Sequence, residues 1–286
     1  MRPFGRVIDV HCQEIVVGLD ESDRGQDAVR LGELLARTTG AGLRVVRVSE
    51  RAGREEAESL SAEVDALLGE SVVDVEALPL AGDSPAQALH ELAATRQRVG
   101  LIVLGSTHRA GLGRVLPGSV ARRLLHGAPC AIAVAPRGYV AEEVRVIEIG
   151  YDASTEAEAA LETAASLGGL AEATLRVIAV EPPPTGAALA TPGAAGAVRA
   201  SAAFDLEAEL HARVSRLPAK LRPLPVFEHG DPARVLMARA EEGVDLLVVG
   251  SRGYGPLGVV LLGSVSVTVI ENATCPVLVT PRSLTL

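Results

Sequence analysis

The sequence predicts an α/β protein of two tandem domains, each a five-stranded parallel sheet with helices on both faces. Three observations carry that expectation. A Gly-rich passage occurs twice, its copies opening at Gly105 and Gly250, 145 residues apart in a chain of 286. Short runs of Val, Ile and Leu alternate with stretches whose apolar residues recur at helical spacing. The same order of segments occurs before and after residue 140. Near-continuous apolar strands separated by helices belong to parallel sheets covered on both sides and joined by right-handed crossovers. The expected domains are residues 1–140 and 141–286, meeting around Pro136 to Glu143.

Glu14-Ile15-Val16-Val17-Gly18-Leu19-Asp20 reads as a buried first strand ending in an acid. Ser22 or Asp23 then caps a helix with apolar face Ala28, Leu31, Leu34 and Leu35, which Gly40 to Gly42 stop. Strand two is Leu43 to Val48, a helix carries Leu60, Val64, Leu67 and Leu68, and Val72 to Leu78 alternate as strand three. Gly82-Asp83-Ser84-Pro85 is a turn with Pro at a helix start, and Leu89 and Leu92 face inward from that helix. Strand four, Leu101 to Leu104, empties into the first Gly-rich passage. A short helix with Val120, Ala121, Leu124 and Leu125 leads to strand five, Cys130 to Ala135.

The second half repeats this order. Val144 to Gly150 is a strand ending near Asp152, and its helix carries Ala157, Ala160, Leu161 and Ala164. Thr174 to Val180 is the next strand; Phe204, Leu206, Leu210, Val214 and Leu217 mark a helix, and Pro225 to Glu228 a strand. Gly230-Asp231-Pro232 repeats the earlier turn with one residue removed. Asp245 to Val249 and Cys275 to Thr280 complete the set. The Pro/Ala/Gly-rich stretch from Glu181 to Gly196 breaks the symmetry. It reads as a mobile surface loop, or as a flap over the second binding edge.

Hydrophobic residues make up 48 % of the chain, which supports filled cores and excludes a disordered polypeptide. Aromatics are 2 % with no Trp, and the net charge is −9, so the stacking platforms and basic field of a nucleic-acid binder are missing. Cys12, Cys130 and Cys275 are too few for a disulfide framework, which points to a reducing compartment. No apolar run reaches about 18 residues, the length of a membrane span. The first residues lack the apolar centre of a signal peptide. The expectation is a cytoplasmic protein with no nucleic-acid or membrane partner.

The second Gly-rich passage has Gly250, two residues, Gly253, nine residues, then Gly263-Ser264. Gly250 and Gly253 permit positive φ and close backbone approach. Gly263-Ser264 falls where a helix starts, so its N–H groups can face an anion, with Ser264 as cap and Arg252 as a nearby positive charge. In a parallel α/β sheet ligands bind beyond the carboxyl ends of the strands, where strand order reverses. Asp20, Asp152 and both loops fall on that edge.

In this spacing the chain resembles the nucleotide-binding branch of the universal stress protein family, whose signature is Gly-x2-Gly-x9-Gly-Ser/Thr. The resemblance extends over nearly the whole chain as two copies. It includes Gly150-Tyr151-Asp152-Ala153-Ser154, the Gly230-Asp231-Pro232 turn, the run from Asp245 to Ser251, and Ala273 to Val279. It implies an adenine nucleotide alpha-hydrolase-like fold in each half and a site for ATP, with or without Mg2+. By the family pattern Gly150, Asp152 and Val180 lie at the base and ribose. Gly250, Ser251, Arg252 and Gly253, with Gly263, Ser264 and Val265, lie at the phosphates. The equivalent first-half positions are Gly18, Asp20, Val48, Gly105, Gly118, Ser119 and Val120. The family often pairs sheets through the last strand, which a tandem chain can do internally, with a further homodimer between chains.

The first half departs from the signature. His108 stands where the second Gly belongs, Pro117 replaces Leu262, and Gly100 replaces Asp245. A side chain at that position adds bulk and is strained at positive φ. The residues leave open a weakened, altered or empty first site, and one in which His108 itself contacts phosphate.

Other chemistries lack their residues. A dinucleotide fingerprint follows a first strand, not a fourth, and no Gly-Lys-Ser/Thr occurs. No nucleophile–base pair or acid cluster stands out, and the His residues show no metal-ligand spacing. Cys130 and Cys275 read as small buried hydrophobes, and His229 beside Asp231 as a local turn pair. The expected function is nucleotide-dependent regulation in a stress response. The alternatives are a slow ATPase or nucleotidyl-transferring enzyme, and a scaffold without ligand.

Overall fold

The computed structural model describes residues 13–20, 23–69, 71–107, 109–127, 129–140, 143–183, 205–251 and 262–281. Among them the first half runs β1 (Glu14–Gly18), α1 (Asp23–Thr39), β2 (Gly42–Ser49), α2 (Arg54–Leu68), β3 (Val75–Ala81), α3 (Pro85–Thr95), β4 (Val99–Gly105), α4 (Ser119–Leu125) and β5 (Ala131–Ala135). The second runs β6 (Val146–Tyr151), α5 (Thr155–Ala171), β7 (Thr174–Glu181), α6 (residues 205–214), β8 (Leu224–His229), α7 (Pro232–Ala240), β9 (Leu246–Gly250), α8 (Ser264–Asn272) and β10 (Val277–Thr280). The segment expected as loop or flap lies largely in 184–204, outside the described residues.

Strand alternation sorts the apolar side chains into two layers. Ile15 and Val17 of β1 point to one side, with α1, α2, α5 and α6. Val16 points to the other, with α3, α4, α7 and α8. The predicted helix faces are where the chain buries them: Ala28, Leu31, Leu34 and Leu35 of α1 are each 2 % exposed or less. At the end of α1, Gly40 adopts φ +74, a left-handed conformation that glycine takes without strain.

The strands form one sheet in the order β3-β2-β1-β4-β5-β10-β9-β6-β7-β8. Every neighbouring pair is parallel except β5 and β10, which run antiparallel with Val134 opposite Val277 and Ile132 opposite Val279. The two five-stranded sheets are thus continuous through their last strands. In each half the strand order reverses beside the first strand, between β1 and β4 and between β6 and β9. That reversal opens a crevice at the carboxyl ends.

Several boundaries differ from expectation for reasons of pairing. Strand three begins at Val75, not Val72, and continues through Pro79 to Ala81, because β2 offers partners from Leu43 to Ser49. Val72 lies outside the ladder and is 84 % exposed. Pro79 is tolerated because β3 is an edge strand, and β8 at the opposite edge likewise carries Pro225. Leu19 donates its N–H to Val46 O at 2.9 Å as the last bond to β2, Asp20 follows it, and both line the first crevice.

Candidate functional site

The first crevice encloses about 550 Å³. The end of β1 contributes Gly18, the turn after it Asp20, and β2 contributes Val48. The end of β4 contributes Gly105, and the start of α4 contributes Gly118, Ser119 and Val120. The second crevice encloses about 340 Å³. Gly150 and Asp152 come from the end of β6, Val180 from β7, Gly250 and Ser251 from the end of β9, and Gly263, Ser264 and Val265 from the start of α8. Every described residue expected at a site therefore lines the crevice of its own half. Arg252, Gly253 and His108 lie outside the described residues.

Two expectations about this lining are corrected. Gly250 is not in the left-handed region. A glycine is needed there because a Cβ would lie 2.6 Å from the carbonyl carbon and oxygen of Glu156, in the first turn of α5. Ser264 does not cap α8. Gly263 is the cap residue, with extended backbone and no side-chain cap bond, and Ser264 is the first helical residue. The first-turn N–H groups of α8 therefore have no capping side chain and sit at the positive end of the helix dipole, facing the crevice. Gly118 caps α4 in the same bare fashion.

Side-chain hydroxyls play unequal parts. Ser106 donates to the Ala135 carbonyl at 2.7 Å and accepts from Leu116 N at 3.1 Å, which closes the first loop on itself. Ser251 holds the corresponding position in the second half. Its N–H donates to Thr280 O at 2.9 Å, and its hydroxyl, in a residue 3 % exposed, has no partner among the described residues. Thr107 Oγ1 also has no partner among the described residues, and Thr107 lines the first crevice. An unpaired buried hydroxyl on a crevice wall is a contact a polar ligand can complete. Ser266, in the first turn of α8, donates to Gly250 O at 2.8 Å and clamps the helix to the strand end.

Asp152 organises the start of α5. One carboxylate oxygen accepts from the Ser154 N–H and hydroxyl, and Ser154 in turn accepts from Ala157 N at 3.2 Å as helix cap. The other Asp152 oxygen makes no hydrogen bond among the described residues, and Asp152 lines the second crevice. Beneath it the Tyr151 hydroxyl donates to Glu158 Oε1 at 2.6 Å, and Arg213 of α6 donates to Glu158 Oε2 at 2.6 Å. Burial and the bond to Glu158 push the Tyr151 hydroxyl well above its ordinary range, so it stays a neutral donor.

Sequence reasoning missed Arg47. This side chain is 7 % exposed, pairs with Glu63 and Glu56 of α2, and lines the first crevice. By strand register its counterpart is Ala179, so these ion pairs of Arg47 have no equivalent at that position beside the second crevice. Pro85 with Leu89, and Pro232 with Leu236, also form walls. The repeated Gly-Asp turn before those helices was the signal for them.

The remaining candidates have structural roles. Cys130 and Cys275 are buried, and burial pushes the Cys275 thiol up to about 12. His229 pairs with Glu181 at 2.8 Å across β7 and β8, not with Asp231, which caps α7 by accepting from Arg234 N at 2.9 Å. Among the described residues no group of three or more His, Cys, Asp or Glu is placed to hold a metal ion. None of the described helices is long and apolar enough to cross a membrane.

Comparison with known proteins places this geometry. The sequence profile of the universal stress protein family matches residues 11–136 and again 143–281. A Mycobacterium tuberculosis H37Rv protein, universal stress protein Rv2319c, is 29 % identical over 202 residues, which cover 63 % of this chain and 64 % of that protein. Bacillus subtilis universal stress protein YxiE is 47 % identical over 55 residues, 19 % of this chain and 37 % of that protein. The chain spans less than two thirds of the length of these curated relatives. A universal stress protein structure from Archaeoglobus fulgidus superposes with a TM-score of 0.69 at 21 % identity, covering 95 % of this chain and 99 % of that one.

Proposed function

This chain belongs to the universal stress protein family, and on that premise we propose that it is a regulatory protein that binds ATP or a related adenine nucleotide in its second crevice. The observation that carries the proposal is convergence. Gly250, Ser251, Gly263 and Ser264 meet on one crevice with Asp152 and Val180, although these residues come from four separated strand and helix ends. In this reading the Val180 backbone receives the base, and the second oxygen of Asp152 receives a ribose hydroxyl. The uncapped first turn of α8 and the Ser251 hydroxyl receive phosphate. Arg252 and Gly253 complete the phosphate contacts by the family pattern.

Residues 1–140 and 141–286 are then two domains of one kind with unequal sites. The first has the larger crevice and Arg47, with His108 in place of the second signature glycine. Nucleotide acts as a regulator by favouring the conformation it binds best. Mass spectrometry of small molecules released from the purified full chain, followed by calorimetric titration with ATP, tests the reading. Released adenine nucleotide and saturable binding support it. A chain that carries none and binds none overturns it, and sustained turnover with Mg2+ assigns the crevice to an enzyme instead.

A further inference from the structure

The loop that walls the first crevice is fastened to a helix of the other half. Val115, 1 % exposed, donates its N–H to the Ala273 carbonyl at 2.8 Å. Arg114 Nη1 donates to the Asn272 carbonyl at 3.2 Å, and its Nη2 lies 3.7 Å from Glu241, the residue that follows α7. Arg122 of α4 pairs with Glu271 at 3.0 Å. Glu271, Asn272 and Ala273 are the last two residues of α8 and the residue that follows. The opposite end of this helix, Ser264 to Ser266, lines the second crevice. Nine helical residues span about 13 Å, so one short rod connects the two.

The loop itself is cross-braced. Thr107 N donates to Leu116 O at 2.8 Å, Gly113 N to Arg137 O at 2.8 Å, Arg137 N to Arg114 O at 3.1 Å, and Arg137 Nη1 to Ala110 O at 3.1 Å. With Ser106 bonded to Leu116 N, a displacement at Arg114 and Val115 reaches Thr107 and Gly118 on the crevice wall. The anchors are also matched in charge. Arg114 and Arg122 place guanidinium groups at the carboxyl end of α8, where the helix dipole is negative, while its amino end is free for an anion.

We propose that α8 couples the two crevices, so that an anionic ligand taken at its amino end re-sets the first crevice's loop, with Arg114 as the positioning residue. The proposal rests on the reading of the second crevice as a nucleotide site. Coupling of this kind is reciprocal: a ligand in the first crevice changes affinity in the second by the same factor.

Hydrogen–deuterium exchange on the full chain tests it, in a Ser119→Glu background that blocks the first crevice with an exposed substitution. Saturating ATP is expected to slow exchange across residues 109–118 at least threefold. Arg114→Ala is expected to cut that slowing by half or more and Arg114→Lys to retain most of it. Calorimetric ATP affinity should stay within twofold in all three proteins. Unchanged exchange in 109–118 with ATP bound overturns the coupling, as does equal slowing in Arg114→Ala. A calorimetric trace with no ATP binding is distinct: it overturns the nucleotide reading, and the coupling with it.

Discussion

The carboxylate of Glu148 lies 3.6 Å from the Arg239 guanidinium, with Glu148 0 % exposed and no closer polar partner for either oxygen among the described residues. This acid of β6 faces the apolar layer under α7 and α8, and the Arg239 charge opposes the cost of burying it. Arg239 also pairs with Glu228 at 3.1 Å, so its charge is shared.

Burial pushes the Glu148 carboxyl from 4.5 up to about 7, against the opposing pull of Arg239 and Arg176. The folded state therefore binds more protons than the unfolded state between pH 4.5 and about 7. Its contribution is fully present below pH 4.5 and is lost as pH rises through about 7, a change of about 3 kcal/mol. Urea unfolding of wild type and Glu148→Gln from pH 4 to 8 measures this. The difference between the two proteins is expected to change by about that amount across the window, in favour of the variant at high pH; a constant difference refutes the assignment.

Asp27 accepts from Gly138 N at 2.8 Å and Tyr139 N at 3.0 Å, and is 5 % exposed. It pins the start of the connection between the halves to α1. Asp27→Ala removes both acceptors at once and is expected to cost about 2–3 kcal/mol, since buried donors without partners are costly. Asp27→Asn, which keeps one acceptor, should cost less. Equal losses in the two variants would point to packing as the cause.

Gly250 and Gly18 both sit at crowded strand ends, of β9 and β1, but meet different neighbours. A Cβ at Gly250 meets rigid backbone of Glu156 at 2.6 Å, whereas one at Gly18 meets the Leu104 side-chain tip at 2.7 Å. Gly250→Ala is therefore expected to destabilise by about 1–3 kcal/mol through overpacking. Gly18→Ala should cost distinctly less, because a Leu rotamer can yield. Chemical denaturation of the two variants ranks them, and the reverse order would be incompatible with these contacts.

Ser264→Glu adds a negative charge at an exposed residue of the α8 amino end. A carboxylate there suits the helix dipole, so folding stability should hold or rise by a few tenths of a kcal/mol. ATP binding in the second crevice is expected to fall at least tenfold by competition for the same N–H groups. Thermal unfolding and calorimetry read the two effects separately, and undiminished ATP affinity would move the phosphate site elsewhere.

Much of the fold was legible because burial is written in residue type. The Val, Ile and Leu runs of β1, β4, β6 and β9 are buried on both faces, and their shortness and β-branched residues mark them as strands. The crevice linings were legible for a related reason: a strand end followed by a bare glycine and a helix start is a local pattern. What escaped depends on partners distant in sequence. The alternation through Val72 and Val73 continues the strand pattern, and only the register with β2 starts β3 at Val75. Arg47 looks like any polar residue of an alternating strand until α2 folds its acids over it. The reason for Gly250 is the backbone of Glu156, and the anchor of Val115 is Ala273; neither contact is local.

The antiparallel seam of β5 and β10 has a consequence for how the molecule persists. All the residues of both strands are buried, so either half alone would present a bare apolar edge to any strand that could add to it. Joining the halves in one polypeptide makes their meeting a unimolecular event, governed by an effective concentration instead of the amount of protein present. Dilution does not dissolve the seam, and each edge is occupied before a stranger can reach it.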